Sequence, residues 1–79
     1  MNETERLVRE ELGKILGRDA MDIPSDANLI EDVGLDSLNV LEIFGMVEDT
    51  FKVLVDSEKI SGIQTIADIV NVIEESKGN

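Results

Sequence analysis

The 79 residues are expected to make one small domain over 1–79, whose core is limited by surface-to-volume scaling. Apolar residues make up 42% but include two Phe, no Tyr and no Trp, so that core must be aliphatic; without Cys there is no disulfide framework, and without Cys or His the usual ligands of structural zinc are missing. The net charge of −11, from 18 acids against 7 bases, would repel nucleic acid and anionic lipid and steer basic protein surfaces toward the chain.

The start, Met1-Asn2-Glu3-Thr4-Glu5, lacks the basic region and apolar core of a signal peptide, and no apolar run approaches membrane-spanning length. The expectation is a soluble, cytoplasmic protein. Helical spacing then runs from about Glu3 to Leu16, with Val8, Leu12, Ile15 and Leu16 on one stripe and Gly17 at the C′ position that ends it.

A long loop follows from Arg18 to Asp36. It holds the single proline, Pro24, with Ser25, Asp26, Asn28 and Gly34, all of which favour turns. Its apolar residues Met21, Ile23, Leu29, Ile30 and Val33 are expected to pin it across the bundle. Between Arg18 and Lys52 there is no base, while Asp19, Asp22, Asp26, Glu31, Asp32, Asp36, Glu42, Glu48 and Asp49 are acidic. Scattered acids usually mean a solvated face. Here the base-free interval is centred on Ser37, which favours a docking role.

The loop Asp26-Ala27-Asn28-Leu29-Ile30-Glu31 starts like a calcium-binding EF-hand, but position 5 is Ile30, position 6 is Glu31 where glycine is needed, and position 12 is Ser37. That match fails, and no metal site is expected. Carboxylate pairs such as Glu31 and Asp32 could serve acid/base chemistry, yet a chain this small has no bulk to form a cleft.

The most informative stretch is Gly34-Leu35-Asp36-Ser37-Leu38. Asp36 reads as the N-cap of a second helix reaching about Phe51, so Ser37 lies at a helix N-terminus, where free N–H groups and the dipole favour a negatively charged substituent. Ser37 is placed to carry a phosphate ester. With no His, no Cys and no Lys from Asp19 to Phe51, nothing nearby turns it into a nucleophile, so no catalytic residue is assigned and the protein is not expected to be an enzyme. Ile43, Phe44, Val47 and Phe51 should face the core, with Met46 at its margin, whereas Leu38 and Leu41 fall on another face framed by Asn39, Glu42 and Asp49.

Phe51-Lys52-Val53-Leu54-Val55 is short, apolar and partly β-branched, but a lone strand has no partner, so it reads as a linker whose Val53 and Val55 plug the bundle. A short helix is expected around Asp56 to Ser61, stopped by Gly62. The last helix opens with Thr65, which forms an approximate capping box with Asp68, and carries Ile66, Ile69, Val70 and Ile73 at i, i+3, i+4 and i+7. It should end near Ser76. The fold class is all-α: a small four-helix bundle of three main helices and one short one, with the long loop between helices one and two.

Asp36-Ser37-Leu38 resembles the Asp-Ser-Leu motif of the acyl carrier proteins, and its flanks agree: Glu31-Asp32-Val33-Gly34 before it, Leu41-Glu42-Ile43 and Glu48-Asp49-Thr50-Phe51 after it. The likeness extends from Glu5-Arg6 through Gly13 and Gly17 to Thr65-Ile66 and Val70-Asn71. The resemblance implies a covalent 4′-phosphopantetheine arm on Ser37, taken from coenzyme A. It also implies a capping and charge-presenting role for Asp36, and an apolar grip by Leu38 with Leu41 for the phosphopantetheinyl transferase. Acyl groups would then ride as thioesters to acyltransferases, ketosynthases and other acyl-processing enzymes with basic docking surfaces, met by Leu38, Asn39, Leu41, Glu42, Gly45, Glu48 and Asp49 of a monomeric carrier. Ile43, Met46, Ile60 and Ile63 are candidates to line an acyl-chain pocket between the second and third helices, although for each singly core is the safer reading.

Departures from the commonest fatty-acid pattern are Asn39 where an acid often follows the motif, Val40 for a frequent polar residue, and Gly45 where methionine is common. Fatty-acid synthesis is the first reading of the pathway. A carrier dedicated to polyketide, lipid-modification or aminoacyl transfer is the runner-up, and an acidic interaction module without a prosthetic group is the alternative from another class.

Overall fold

Asn2 starts the first helix by accepting the Glu5 N–H on its Oδ1 at 2.8 Å, from extended backbone that cannot itself be helical. The computed structural model describes residues 2–77, so Met1 of the N-terminal pentapeptide and the last two positions of the expected 1–79 domain lie outside the described residues. Helix α1 (Glu3–Leu16) ends at Gly17, whose φ of 72° is left-handed backbone that glycine adopts without a Cβ penalty. Gly13 is needed for another reason: a Cβ there would sit 2.8 Å from the Arg18 carbonyl oxygen as the chain doubles back. Val8 and Leu12 are fully buried, with Ile15 and Leu16 packed at the edge of the core.

The loop from Arg18 to Asp36 is held by a side chain of α1. Arg9, only 4% exposed, donates from Nη1 to the carbonyls of Ala20 (2.9 Å), Met21 (3.3 Å) and Ile23 (2.7 Å), and from Nη2 to Ser25 Oγ (2.9 Å). Its Nε donates to Glu5 Oε2 at 3.0 Å, which balances the buried charge. Further on, Asn28 Oδ1 accepts the Ile30 and Glu31 N–H groups and Asp32 Oδ2 accepts the Asn28 N–H, so this acidic stretch spends its oxygens on its own turn. Leu29 N–H to the Gln64 carbonyl and Ala67 N–H to the Ser25 carbonyl dock the loop onto the start of the last helix.

The apolar anchors of the loop differ from those expected. Ile23 and Leu29 are buried and Val33 is half-buried, but Met21 (39%) and Ile30 (49%) are exposed, while Ala20 and Leu35 are inside. The reason is that Arg9 fixes the carbonyls of 20, 21 and 23, which turns Ala20 inward and Met21 outward.

Helix α2 (Ser37–Phe51) contributes Val40, Ile43, Phe44 and Val47 to the core; Phe51 is only half-buried. Phe51 ends the helix, and Lys52 caps it in left-handed backbone at φ 56°. Positions 53–56 are irregular, with Val53 and Val55 half-buried and Leu54 fully out at 90% exposure; no strand occurs among the described residues. The short α3 (Ser57–Ser61) is capped by Asp56 Oδ1 on the Glu58 N–H and stopped by Gly62.

Helix α4 (Ile66–Lys77) runs one residue beyond its expected end and buries Ile66, Ile69, Val70, Val72 and Ile73. The Thr65–Asp68 capping box is reciprocal, with both bonds at 3.1 Å. Helix α1 packs against α4 and α2, and Lys77 closes the end of the bundle: its Nζ donates to the buried Thr4 Oγ1 at 3.2 Å and lies 5.1 Å from the Phe51 ring centre. The architecture is therefore the expected one, three main helices and one short one with a long crossing loop.

Candidate functional site

Ser37 is the first residue of α2 and is exposed. Asp36 and Asn39 hold the helix start between them: Asp36 Oδ1 accepts the Asn39 N–H at 2.8 Å and Asn39 Oδ1 accepts the Asp36 N–H at 3.1 Å. The residue that departs from the commoner acid after the motif thus closes the capping box. The Ser37 and Leu38 amides take no partner among the described residues, leaving free donors of the first turn beside the Ser37 hydroxyl.

An anionic ester on Ser37 fits this arrangement. The hydroxyl is open to an incoming enzyme, and free N–H groups with the positive end of the helix dipole offset the nearby Asp36 charge.

A mostly apolar groove of about 290 Å³ opens directly at Ser37. Val40 and Leu41 of α2 form one wall, Ser57, Ile60 and Ser61 of α3 the other, and Ile30 and Ile63 complete it. Ile30 is exposed because it lines this mouth. Of the expected lining residues, Ile60 and Ile63 are here; Ile43 is fully buried in the core and Met46 is half-buried, and neither reaches the groove. Val40 and Leu41, one turn after Ser37, line the groove, Val40 from the edge of the core stripe at 8% exposure, whereas Ile43, one turn further along the same stripe, is enclosed with Phe44 and Val47.

The outer face of α2 carries Leu38 at 67% exposure, Leu41 at 55%, Glu42, Gly45 and Asp49. Space around Gly45 is open, since a Cβ there would meet no atom within 4 Å. Two of the candidate docking residues have internal work. Asn39 is the half-buried partner of Asp36, and Glu48 Oε2 accepts the Val55 N–H at 2.9 Å while its carbonyl accepts the Lys52 and Val53 N–H groups. Asp49 pairs loosely with Lys52 at 3.8 Å, fully in solvent. No helix is long and apolar enough to cross a membrane among the described residues.

The profile of the family described as phosphopantetheine attachment site matches residues 6–73. An acyl carrier protein of Akkermansia muciniphila is 35% identical over 77 residues, covering 98% of this chain and 96% of the relative. Another, from Solidesulfovibrio magneticus, is 35% identical over 71 residues, covering 90% and 91%. A non-reducing polyketide synthase of Didymella fabae is 41% identical over 76 residues, which are 96% of this chain and 3% of the synthase. Among solved structures, one described as a candidate acyl carrier protein of Mycobacterium tuberculosis superposes with a TM-score of 0.84 at 24% identity, covering 91% of this chain and 96% of that one; this likeness speaks for the fold.

Proposed function

This chain belongs to the acyl carrier protein family, and from that premise we propose that Ser37 is the residue that takes the 4′-phosphopantetheine arm. The observation that carries the reading is the position of Ser37, an exposed hydroxyl at the capped start of α2, with free amides beside it and an apolar groove opening at its side. Ser37 Oγ forms a bond to the pantetheine phosphorus of coenzyme A as the pyrophosphate P–O bond breaks; the adenosine bisphosphate leaves, and the hydroxyl proton passes to a base of the transferase. When bound, the arm supplies a thiol that holds acyl groups as thioesters.

The remaining residues orient and present. Asp36 and Asn39 fix the first turn so that Ser37 projects from a rigid point. Leu38 and Leu41 offer an apolar contact inside the charged rim of Glu42 and Asp49, the pattern that a basic enzyme surface would meet. Residues of the groove can shelter the first carbons of a cargo, each buried methylene contributing roughly 0.8 kcal/mol.

Co-expression with a broad-specificity phosphopantetheinyl transferase tests the site by intact mass. Wild type should gain one arm and Ser37→Ala none; an arm on Ser37→Ala, or none on wild type with several transferases, overturns the assignment. Service in polyketide assembly is the second reading, favoured by the 41% identity to a segment of a polyketide synthase. Fatty-acid synthesis is favoured by relatives that are separate acyl carrier proteins and match over 96% and 91% of their length.

A further inference from the structure

The two walls of the groove beside Ser37 differ in chemistry. The α2 wall, Val40 and Leu41, is wholly apolar; the α3 wall carries hydroxyls at Ser57 and Ser61, either side of Ile60. Residues four apart share a helix face, about 6 Å apart along the axis.

We propose that this groove favours a hydroxyl-bearing acyl chain over a saturated chain of equal length, through Ser57 and Ser61. The inference rests on Ser37 as the attachment point. Ser61 Oγ already donates to the Glu58 carbonyl at 2.8 Å, so what it offers the groove is lone pairs, which call for a donor. The Ser57 hydroxyl makes no hydrogen bond among the described residues and can donate or accept. A saturated chain lying along this wall strips water from both hydroxyls and returns nothing, which is unfavourable. A hydroxyl on the chain replaces that water at whichever serine it reaches, donating to Ser61 or bonding to Ser57 in either sense. A ketone serves only Ser57, because it has no proton for Ser61. Methylenes and methyls of the same cargo rest on Val40, Leu41 and Ile63.

Ser57 has no role in the fold and Ser61 only its one bond to the Glu58 carbonyl, since α3 contains no buried residue. A wall built only to shelter alkyl chains would be better served by Ala or Leu, which are also stronger helix formers.

The test loads the full chain through the transferase with octanoyl, β-hydroxyoctanoyl or δ-hydroxyoctanoyl coenzyme A, and intact mass confirms a single adduct that Ser37→Ala does not take. Groove occupancy is read from amide chemical shifts of Val40, Ile60 and Ile63 and from hydrogen exchange in α3. At least one hydroxyoctanoyl form should occupy the groove about two- to tenfold more than octanoyl, the range expected of one net hydrogen bond. Ser57→Ala breaks no internal bond and should narrow the difference, as should Ser61→Ala; the double variant should abolish it. Equal or greater occupancy by octanoyl in wild type, or a preference that survives in the double variant, overturns the proposal while leaving the adduct on Ser37 intact. Failure to find any adduct at Ser37 is a different result, visible by mass alone, and removes the attachment reading and this inference together.

Discussion

The Arg9 guanidinium reaches the Ile23 carbonyl oxygen at 2.7 Å across fourteen residues, and this bond is the centre of a fork that also holds Ala20, Met21 and Ser25. Lysine could not replace it, because one ammonium cannot present donors in a plane to acceptors spread along a loop. Through Ser25, whose carbonyl accepts the Ala67 N–H, the same fork connects α1 to the start of α4.

Arg9→Met should therefore destabilise the domain by about 2–4 kcal/mol, since it strands buried carbonyls and leaves Glu5 without its partner. Arg9→Lys should recover only part of the loss. Urea denaturation followed by circular dichroism reads both; a change under about 0.5 kcal/mol for Arg9→Met would show that water replaces the guanidinium without cost.

Sequence periodicity was enough to place α1 from Glu3 to Leu16 and α2 from Ser37 to Phe51, because their stripes are regular and their caps, Gly17 and Asp36, are residue types with a strong local preference. Arg9 was not legible. A buried arginine and a solvated one look alike in a helical pattern, and its acceptors in the loop lie eleven to sixteen residues away. For the same reason Ile30 read as an anchor and Leu35 passed unnoticed: which loop residue turns inward is set by tertiary hydrogen bonds, such as Leu35 N–H to the Leu29 carbonyl. The exposed serine of the candidate site was legible because its neighbours Asp36 and Leu38 sit beside it in the chain. The groove was only half so, since its α3 wall depends on how a five-residue helix is laid against α2.

Asp36 has two separable roles, capping and charge, and Asp36→Asn divides them. Asparagine caps about as well as aspartate, so stability should fall little, whereas Asp36→Ala should cost about 0.5–2 kcal/mol. If the carboxylate also attracts the transferase, Asp36→Asn should slow arm transfer at low salt and the deficit should shrink as salt rises. Equal transfer rates for wild type and Asp36→Asn would confine Asp36 to capping.

Two backbone positions in and after α2 invite opposite substitutions. Gly45 has open space where a Cβ would go, so Gly45→Ala should stabilise by roughly 0.5–1 kcal/mol. Lys52 sits at φ 56°, so Lys52→Gly should stabilise as well. Both are read from urea midpoints. Gly45→Met should in addition change which acyltransferase or synthase accepts the loaded carrier; unchanged rates with every partner would make the glycine a tolerated cost with no docking role.

The acids of α2 divide into Glu42 and the loosely paired Asp49, both in solvent, and Glu48, which is bonded to the backbone. Glu42 is exposed and makes no ion pair among the described residues, so Glu42→Lys should leave the melting temperature nearly unchanged while slowing association with a basic acyl-processing enzyme and flattening its salt dependence. Glu48 is half-buried and its carboxylate accepts the Val55 N–H, so Glu48→Lys removes a bond that holds the turn from Lys52 to Val55. That change should lower stability by about 1–2 kcal/mol and alter the path into α3, with slower partner turnover as a secondary effect. Glu48→Gln keeps an acceptor for Val55 and should restore most of the stability. Stopped-flow association at several salt concentrations, run beside thermal melts, separates the two positions: electrostatic docking predicts a loss in association rate for Glu42→Lys at unchanged melting temperature. An association rate that does not move at low salt would reduce the exposed acids to a solubility face.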